Sequence, residues 1–369
     1  MRVSFRGQLV DEPEIRAGFI GCGSHAFRNL YPAFQFAPVK LAATCDLKLP
    51  KAEAFAEKFG AAHAYADYRA MIEKEQLDAV FVCTPYDKAG RPLYPAIGIA
   101  CMELGCHVWI EKPPAATCAD IEKMQETAKR TGKTMLVGFK KMFFPANEKL
   151  KELMNDERFG EPSLVMLQYP QPIPTRDELA RYNAGEDVET TRRFLDHLCH
   201  PTSLMVFLLG MPDTLYYERS EKGGGVATFT YPSGTVASIA LTAGASRNGG
   251  FERTTVIGKG TLVVDNSVRL RYNRGPRSPE GQGYGSTPSF FTGEPSETAA
   301  VWEPEFSLGQ LYNKGLFLLG YYGEVNEFAR AVLERRPPAK GTLEQAWQIT
   351  RIFEAFAEGP AKRIALAAS

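Results

Sequence analysis

The sequence predicts an α/β domain over residues 1–144, followed by an α+β domain over residues 145–369 with an open, mostly antiparallel sheet. The length of 369 residues exceeds what one core usually supports, which favours two domains. Short apolar runs alternate with helix-like segments in the first part, a rhythm typical of a parallel sheet with helical crossovers. Later apolar runs are separated by turn residues such as 231–234, a spacing typical of antiparallel strands.

In the first part, apolar runs and helical spacing define each predicted element. Strands are predicted over 15–20, 40–45, 78–83, 107–110 and 134–137. Helices are predicted over 25–36, 48–59, 95–104 and 117–131. The segment 48–59 shows the helical period most clearly, since it places on one face Ala52, Phe55, Ala56 and Phe59.

The second part mixes helices with short strands. Helices are predicted over 145–155, 193–209, 321–335 and 343–358, and strands over 164–169, 215–219, 226–231, 236–242, 253–257, 262–264 and 268–272. Residues 274–309 are rich in Gly, Pro and Ser and are predicted to form a long loop. Aromatic residues in that loop would cover a ligand, reach a neighbouring subunit or pack on their own sheet: Tyr284, Phe290, Phe291 and Trp302.

The bulk composition argues against several classes of protein. Lys+Arg and Asp+Glu both number 43, so the chain lacks the excess of positive charge that is typical of a nucleic-acid-binding protein. No apolar run reaches 18 residues, and residues 1–14 do not resemble a secretory signal, so we expect no membrane partner. The 7 cysteines are odd in number, and none lies in a Cys-x-x-Cys pair. We therefore expect no disulfide framework and no metal site. We expect a cytoplasmic protein.

The strongest local motif is the segment 21–26, Gly-Cys-Gly-Ser-His-Ala, which follows the first predicted strand and opens a helix. Gly21 allows a tight turn, Gly23 lets the backbone approach a pyrophosphate, and Ala26 permits close packing of helix on sheet. The first helical turn, with Ser24 and His25, offers free N–H groups to the phosphates. This motif predicts a Rossmann domain that binds a dinucleotide.

Asp46 ends the second predicted strand, where a carboxylate accepts hydrogen bonds from both ribose hydroxyls. A carboxylate there repels a 2′-phosphate, so NAD is favoured over NADP as the cofactor. Lys48, two residues later, weakens this preference. Thr84 and Pro85 end the next strand of the predicted sheet and are assigned to the cofactor as well.

The segment Glu111-Lys112-Pro113 follows a predicted strand about 90 residues after the fingerprint. Here the sequence resembles the glucose–fructose oxidoreductase and inositol dehydrogenase family, Gfo/Idh/MocA. The segments 105–113, 137–145, 196–200 and 324–330 carry the resemblance, which extends roughly over residues 15–356. It implies a Rossmann domain followed by an open sheet, and a homo-oligomer, because the large sheet of such families often joins subunits.

The resemblance also implies catalytic roles. Lys112, at the carboxyl end of a strand, would stabilise developing alkoxide charge on the substrate. His200 would act as general base or acid, since an unperturbed pKa of about 6.5 suits proton exchange. Asp196, four residues earlier on the same helical face, would orient His200 or bind a second hydroxyl. Glu111 would support the loop or the cofactor.

The substrate half departs from the family pattern. After Thr84 and Pro85, relatives usually carry Asn and then His, whereas this chain has the longer segment 86–91, with Tyr94 at the usual histidine position. Ser203 and Met142 replace a common Asp and Arg. Arginine, lysine and aromatic side chains suit clusters of hydroxyl groups and sugar rings. The predicted substrate residues are therefore Lys140, Tyr169, Arg176, Tyr182 and Arg192.

These observations favour an NAD-dependent oxidoreductase that removes hydride from a secondary alcohol of a sugar, cyclitol or glycoside, oxidation at the 3-position of a glycoside being one form. Three alternatives remain open. The first is an enzyme that recycles bound NAD while cleaving a glycosidic bond. The second is a non-catalytic NAD-binding sensor. The third is a reductase of the trans-dihydrodiol or biliverdin type.

Overall fold

The computed structural model describes residues 12–244, 250–273, 299–303 and 314–366. The chain divides into two compact units. Unit 1 comprises Met1–Phe143, Pro174–Phe207 and Asn313–Glu358, and unit 2 comprises Phe144–Ile173, Leu208–Tyr312 and Gly359–Ser369. Neither unit is continuous in sequence, because later helices return to the unit that holds the first sheet.

Unit 1 is built on a six-stranded parallel sheet of order β3-β2-β1-β4-β5-β6. The strands are β1 (Ile15–Ile20), β2 (Val39–Cys45), β3 (His63–Tyr65), β4 (Ala79–Val82), β5 (His107–Ile110) and β6 (Met135–Val137). This sheet confirms the predicted Rossmann architecture. The strand order switches direction at β1, so a crevice opens at the carboxyl ends of β1 and β4, where such sheets bind ligands.

The helices, numbered along the chain, are α1 (Leu49–Phe59), α2 (Tyr68–Glu75), α3 (Tyr94–Glu103), α4 (Cys118–Thr131), α5 (Pro145–Met154), α6 (Arg176–Asn183), α7 (Glu189–Leu209), α8 (Lys314–Leu318), α9 (Tyr321–Leu333) and α10 (Leu343–Phe356). Side-chain caps define several of their ends. Thr117 accepts a hydrogen bond from the backbone N–H of Asp120 at the start of α4, and Gly132 ends that helix in the left-handed conformation. Both ends match the prediction.

The structure differs from the prediction in several local elements. The predicted helix over 25–36 is a π-helical turn, Ala26–Leu30, followed by a 3₁₀ helix, Tyr31–Gln35. Pro32 explains the change, since proline has no N–H and its ring clashes with the carbonyl four residues earlier. No element was predicted between residues 169 and 193, where the structure has α6, which starts with a capping box between Thr175 and Glu178, a signal visible in the sequence.

Aromatic packing connects the central strands of unit 1 with a C-terminal helix. Phe81 on β4 lies 6.1 Å from Phe19 on β1 and 5.7 Å from Trp109 on β5, between ring centroids. Phe328 on α9 meets the Phe81 ring edge-on at 5.2 Å. All four side chains are fully buried. This cluster holds together the strands whose carboxyl ends carry the candidate site.

Unit 2 holds a nine-stranded sheet of order β14-β13-β12-β11-β7-β10-β9-β8-β15. Only the β7–β10 pair is parallel among these described strands, which confirms a mostly antiparallel sheet. The strands are β7 (Leu164–Tyr169), β8 (Thr214–Arg219), β9 (Gly225–Thr230), β10 (Val236–Leu241), β11 (Arg253–Ile257), β12 (Thr261–Asp265), β13 (Arg269–Asn273), β14 (Ala299–Trp302) and β15 (Ile364–Ala365).

The predicted loop 274–309 was wrong over its β14 portion. Trp302 lies on β14 opposite Leu270 of β13, because the edge of that strand accepts another antiparallel neighbour. Tyr284, Phe290 and Phe291 lie outside the described residues.

One face of the unit 2 sheet is buried and the other is exposed. Residues alternate between the two faces along each strand. The exposed face carries apolar side chains on five strands: Met166, Tyr216, Val226, Val236 and Val301. Such a face is a candidate surface for association.

All seven cysteines are free thiols, and Cys83 alone among them is only partly buried. Burial raises the pKa of Cys22 to about 11. Across the described ranges, no helix has the length and apolar character needed to cross a bilayer.

Candidate functional site

The fingerprint loop joins β1 to the first helical turn through two glycines with different constraints. Gly21 has a φ of +108°, and a Cβ there would lie 2.0 Å from the Cys83 carbonyl oxygen at the end of β4. Only glycine allows the two strand ends to approach so closely. A Cβ at Gly23 would meet nothing within 4 Å, so open space faces the loop there. The loop therefore fits a phosphate group approaching the backbone.

Asp46 is fixed against the same loop. Its Oδ2 accepts a hydrogen bond from the Cys22 N–H at 3.0 Å, and its Oδ1 accepts one from the Lys48 N–H at 2.9 Å. A carboxylate oxygen has more than one lone pair, so both oxygens retain acceptor capacity for ribose hydroxyls. The side chain of Leu47, by contrast, points into solvent with 94% exposure.

The remaining predicted cofactor residues lie at the same edge of the sheet. Ser24, Lys48 and Pro85 are exposed and follow the ends of β1, β2 and β4. The Thr84 hydroxyl is buried and has no hydrogen-bond partner among the residues described. An unpaired buried hydroxyl is rare. The donor set at this edge thus fits a bound dinucleotide.

Glu111 connects the end of β5 with the fingerprint segment. Its Oε2 accepts a hydrogen bond from the Lys112 N–H at 2.8 Å, and its Oε1 lies 2.8 Å from His25 Nε2. Asn29 donates to His25 Nδ1 at 3.1 Å, which assigns the ring proton to Nε2, facing the carboxylate. Glu111 is 5% exposed. Glu111 thus links the end of β5 to the first helical turn after β1.

Lys112 and Asp196 form an ion pair at the centre of the candidate site. Lys112 Nζ lies 2.8 Å from Asp196 Oδ1, and the two side chains are 15% and 31% exposed. Burial acts to lower the pKa of Lys112, but the carboxylates of Asp196 and Glu111 outweigh it and raise that pKa. Burial also acts to raise the pKa of Asp196, and the Lys112 charge outweighs it and lowers that pKa. Both groups are therefore ionised at neutral pH.

His200 lies one turn after Asp196 on α7. Its pKa is well below the usual 6.5, because the ring is buried and Lys112 and Lys140 bring positive charge close to it. The histidine is therefore neutral near pH 7 and carries a lone pair that can accept a proton, although the expected unperturbed pKa does not hold. Ser203, which replaces the family's Asp, donates its hydroxyl to the His200 carbonyl at 3.0 Å.

Tyr86 is the main functional candidate that the sequence reasoning missed. Its hydroxyl donates to Asp196 Oδ1 at 3.0 Å, the same oxygen that Lys112 contacts. Burial and the Asp196 charge raise the pKa of Tyr86, so the hydroxyl keeps its proton. The available signal was a tyrosine directly after the strand end at Thr84 and Pro85, inside the segment that departs from the family pattern.

Lys140, a predicted substrate residue, is tied to α9. Its Nζ donates to the Tyr321 hydroxyl at 2.9 Å and lies 4.8 Å from the centroid of that ring. Burial and the neighbouring charge of Lys141 lower the pKa of Lys140. One turn along α9, Glu324 is fully buried with neither oxygen hydrogen-bonded within the described part of the chain. Sequence reasoning assigned no role to either α9 residue.

The other predicted substrate residues are in different environments. Arg192 pairs with Asp187, and its guanidinium lies 5.9 Å from the Tyr86 ring centroid. Tyr182 is fully buried and donates its hydroxyl to the Gly90 carbonyl at 2.9 Å, which leaves no surface for a ligand. Arg176 is exposed at the start of α6, and Tyr169 is buried at the end of β7 in unit 2.

Comparison with known families identifies both halves of the chain. Residues 15–139 match the description "Oxidoreductase family, NAD-binding Rossmann fold" of GFO/IDH/MocA, and residues 147–263 match the GFO/IDH/MocA C-terminal domain. The two matches cover the candidate cofactor loop and most of the unit 2 sheet.

Individual relatives are similar over different lengths. Myo-inositol 2-dehydrogenase of Thermotoga maritima is 25% identical over 339 residues, covering 88% of this chain and 90% of that protein. D-glucoside 3-dehydrogenase of Escherichia coli is 37% identical over 123 residues, covering 33% and 34%. The crystal structure of a dehydrogenase from Chromobacterium violaceum superposes with a TM-score of 0.76 at 22% identity, covering 94% of this chain and 96% of that one.

Proposed function

Because this chain belongs to the GFO/IDH/MocA oxidoreductase family, we propose that it oxidises a secondary alcohol of a sugar, cyclitol or glycoside and uses NAD as the hydride acceptor. Membership makes it an NAD(P)-dependent oxidoreductase that acts on CH–OH groups. The observation that carries the proposal is the charged Lys112–Asp196 pair with neutral His200 one turn away.

The cofactor assignment rests on the fingerprint loop and Asp46. When bound, the nicotinamide supplies the carbon that accepts the hydride. Gly21 and Gly23 would hold the pyrophosphate, and the Thr84 hydroxyl would gain a partner. Asp46, fixed by two backbone N–H groups, would accept from the ribose hydroxyls and repel a 2′-phosphate. This arrangement supports NAD over NADP.

The proton chemistry follows from the charge states of three side chains. Lys112 uses two of its three N–H groups on the carboxylate and the carbonyl of Asp196, and the third can donate to the reacting oxygen as negative charge develops there. His200, neutral near pH 7, would take the proton of the reacting hydroxyl at its ring nitrogen. Asp196 keeps Lys112 charged and in place.

Two observations support the substrate class. Two relatives are named as dehydrogenases of a cyclitol, myo-inositol, and of a D-glucoside, and both compounds carry ring hydroxyl groups. Lys140 and Arg192 supply N–H hydrogen-bond donors and positive charge, which suit a substrate with several hydroxyl groups. We also propose a homo-oligomer, for which the exposed apolar face of the unit 2 sheet supplies a candidate surface.

The first experiment is a search for bound nucleotide in the purified protein by mass spectrometry, followed by NADH formation over a panel of sugars, cyclitols and glycosides. Lys112→Met tests the assigned site, and Lys123→Met on the exposed side of α4 is the matched control. The proposal is supported if the wild-type protein and the Lys123→Met variant turn over substrate with NAD and the Lys112→Met variant does not. Absence of nucleotide affinity, or release of aglycone from a glycoside by the NAD-bound protein without net NADH formation, overturns it.

A further inference from the structure

The segment after β4 forms a short hairpin, residues 86–92, that we call the Tyr86 hairpin. A β-bridge pairs Tyr86 with Pro92, and the Asp87 carboxylate accepts from the N–H groups of Ala89 and Arg91, each at 2.8 Å. The hairpin therefore has its own hydrogen-bonded turn. A residue at its base has a defined direction before any ligand binds.

The Tyr86 hairpin is docked on the α6–α7 segment of unit 1. The Arg91 guanidinium donates to the Tyr182 carbonyl at 3.1 Å, and the Tyr182 hydroxyl donates to the Gly90 carbonyl at 2.9 Å. Gly90 is buried, and a Cβ there would lie 2.3 Å from Asp187 Oδ1. The turn of the hairpin is thus held against α6 and the segment that leads into α7, the helix that carries Asp196.

Two donors from different loops converge on one oxygen of Asp196. Lys112 Nζ approaches Oδ1 at 2.8 Å from the end of β5, and the Tyr86 hydroxyl approaches it at 3.0 Å from the end of β4. The guanidinium of Arg192, one turn earlier on α7, lies against the Tyr86 ring. A carboxylate held by two donors has little rotational freedom.

We propose that Tyr86 is a positioning residue of this enzyme: its hydroxyl, with Lys112, locks the Asp196 carboxylate between the ends of β4 and β5, and thereby aims the Lys112 ammonium at the reacting oxygen. Loss of the hydroxyl leaves Asp196 free to rotate about its side chain and to draw Lys112 with it. The consequence for turnover rests on the proposed function, whereas the consequence for Asp196 rests on geometry alone.

The side chains that set the ionisation of Asp196 come from three places in unit 1: the end of β5, the Tyr86 hairpin and α7. The Lys112 charge and the Tyr86 hydrogen bond lower its pKa, and His197, whose Nε2 lies 3.7 Å from Oδ2, acts in the same direction. Burial opposes all three. Further titratable groups that interact electrostatically with Lys112 or Asp196 include Glu111, Tyr94, Cys83, Cys199, Lys140, His200 and Glu324. Removing the Tyr86 hydroxyl must therefore raise the pKa of Asp196.

The test compares the Tyr86→Phe variant with the wild-type protein, both as the full-length chain. Carbon-13 NMR of protein labelled at aspartate carboxyls follows the titration of Asp196, whose signal is assigned by its loss in Asp196→Asn. We expect the Asp196 titration to move to higher pH in Tyr86→Phe. Because a hydrogen bond to a charged group is lost, kcat/KM should fall at least about tenfold, mainly through kcat.

Tyr65→Phe is the matched control, since the Tyr65 hydroxyl donates to the Glu75 carboxylate at 2.7 Å elsewhere in unit 1. It should leave both the Asp196 titration and kcat/KM unchanged. An unmoved Asp196 titration in Tyr86→Phe, or an equal shift in Tyr65→Phe, overturns the inference. If the wild-type protein oxidises no alcohol of the panel, the proposed function fails, while the NMR titration still decides whether Tyr86 holds Asp196.

Discussion

The Lys112–Asp196 ion pair can be tested by a double-mutant cycle with Lys112→Met, Asp196→Asn and the double variant. The two charged atoms lie 2.8 Å apart. At an effective dielectric constant of about 20, that separation corresponds to a raw attraction of about 6 kcal/mol. Desolvation offsets much of it, because both side chains are largely removed from water.

Removal of one partner should lower the free energy of unfolding more than its share of the loss seen when both partners are removed. Asp196→Asn leaves a mostly buried ammonium without its main counter-charge, so we expect a loss of about 2–3 kcal/mol in the free energy of unfolding. Lys112→Met should cost a similar amount, since it leaves the carboxylate with the Tyr86 hydrogen bond and the nearby His197 ring but without its main counter-charge. The double variant should recover about 1–3 kcal/mol relative to the sum of the two single losses.

The coupling should also depend on pH at both extremes. The pKa of Asp196 is lowered, so its contribution is present above the unfolded value of 3.8 and is lost as pH falls through the lower folded value. The pKa of Lys112 is raised, so its contribution is present below the unfolded value of 10.5 and is lost as pH rises through the higher folded value. The coupling should therefore be constant between these limits.

Chemical denaturation followed by circular dichroism measures the cycle. In parallel, kcat of Lys112→Met should fall by about two orders of magnitude or more with NAD binding retained, because a positioned charge donor is lost. Lys123→Met, from an exposed ion pair, controls for the removal of a lysine. Additive losses, with a coupling below about 0.5 kcal/mol, would refute the assigned pair.

Three further predictions address the cofactor loop and the base. Gly21→Ala should destabilise the protein by about 3 kcal/mol and remove NADH binding, because the new Cβ would lie 2.0 Å from the Cys83 carbonyl oxygen. Thermal unfolding and NADH fluorescence measure the two effects. A variant as stable as the wild-type protein would contradict this reason. Asp46→Asn should reduce the preference for NAD over NADP by about tenfold or more in kcat/KM, through loss of charge at the ribose, and an unchanged ratio would remove Asp46 from cofactor selection. His200→Gln should lower kcat by about two to four orders of magnitude. The acid limb of the wild-type pH profile of kcat/KM should lie below pH 6.5, since the pKa of His200 is lowered, and a limb above that value would count against His200 as the base.

The cofactor half of this protein could be predicted from the sequence because its signals are local. The turn at Gly21 and Gly23 and the acid at the end of β2 each depend on residues close together in the chain. The apolar runs of β1, β2, β4 and β5 likewise appear within a few residues of their observed bounds. Pro32 shows the limit of periodicity, since one residue changed the predicted helix into π and 3₁₀ turns.

The substrate half depended on the tertiary structure because its contacts join distant parts of the chain. Tyr86 and Asp196 are 110 residues apart, and Lys112 and Asp196 are 84 residues apart, so no local pattern reports their meeting. The same holds for the burial of Tyr182 and the low pKa of His200, which depend on neighbours brought close by folding. The sequence by itself determined the residue types and the cofactor loop. The tertiary structure decided which charges meet, because desolvation and Coulomb interactions act through space and not along the chain.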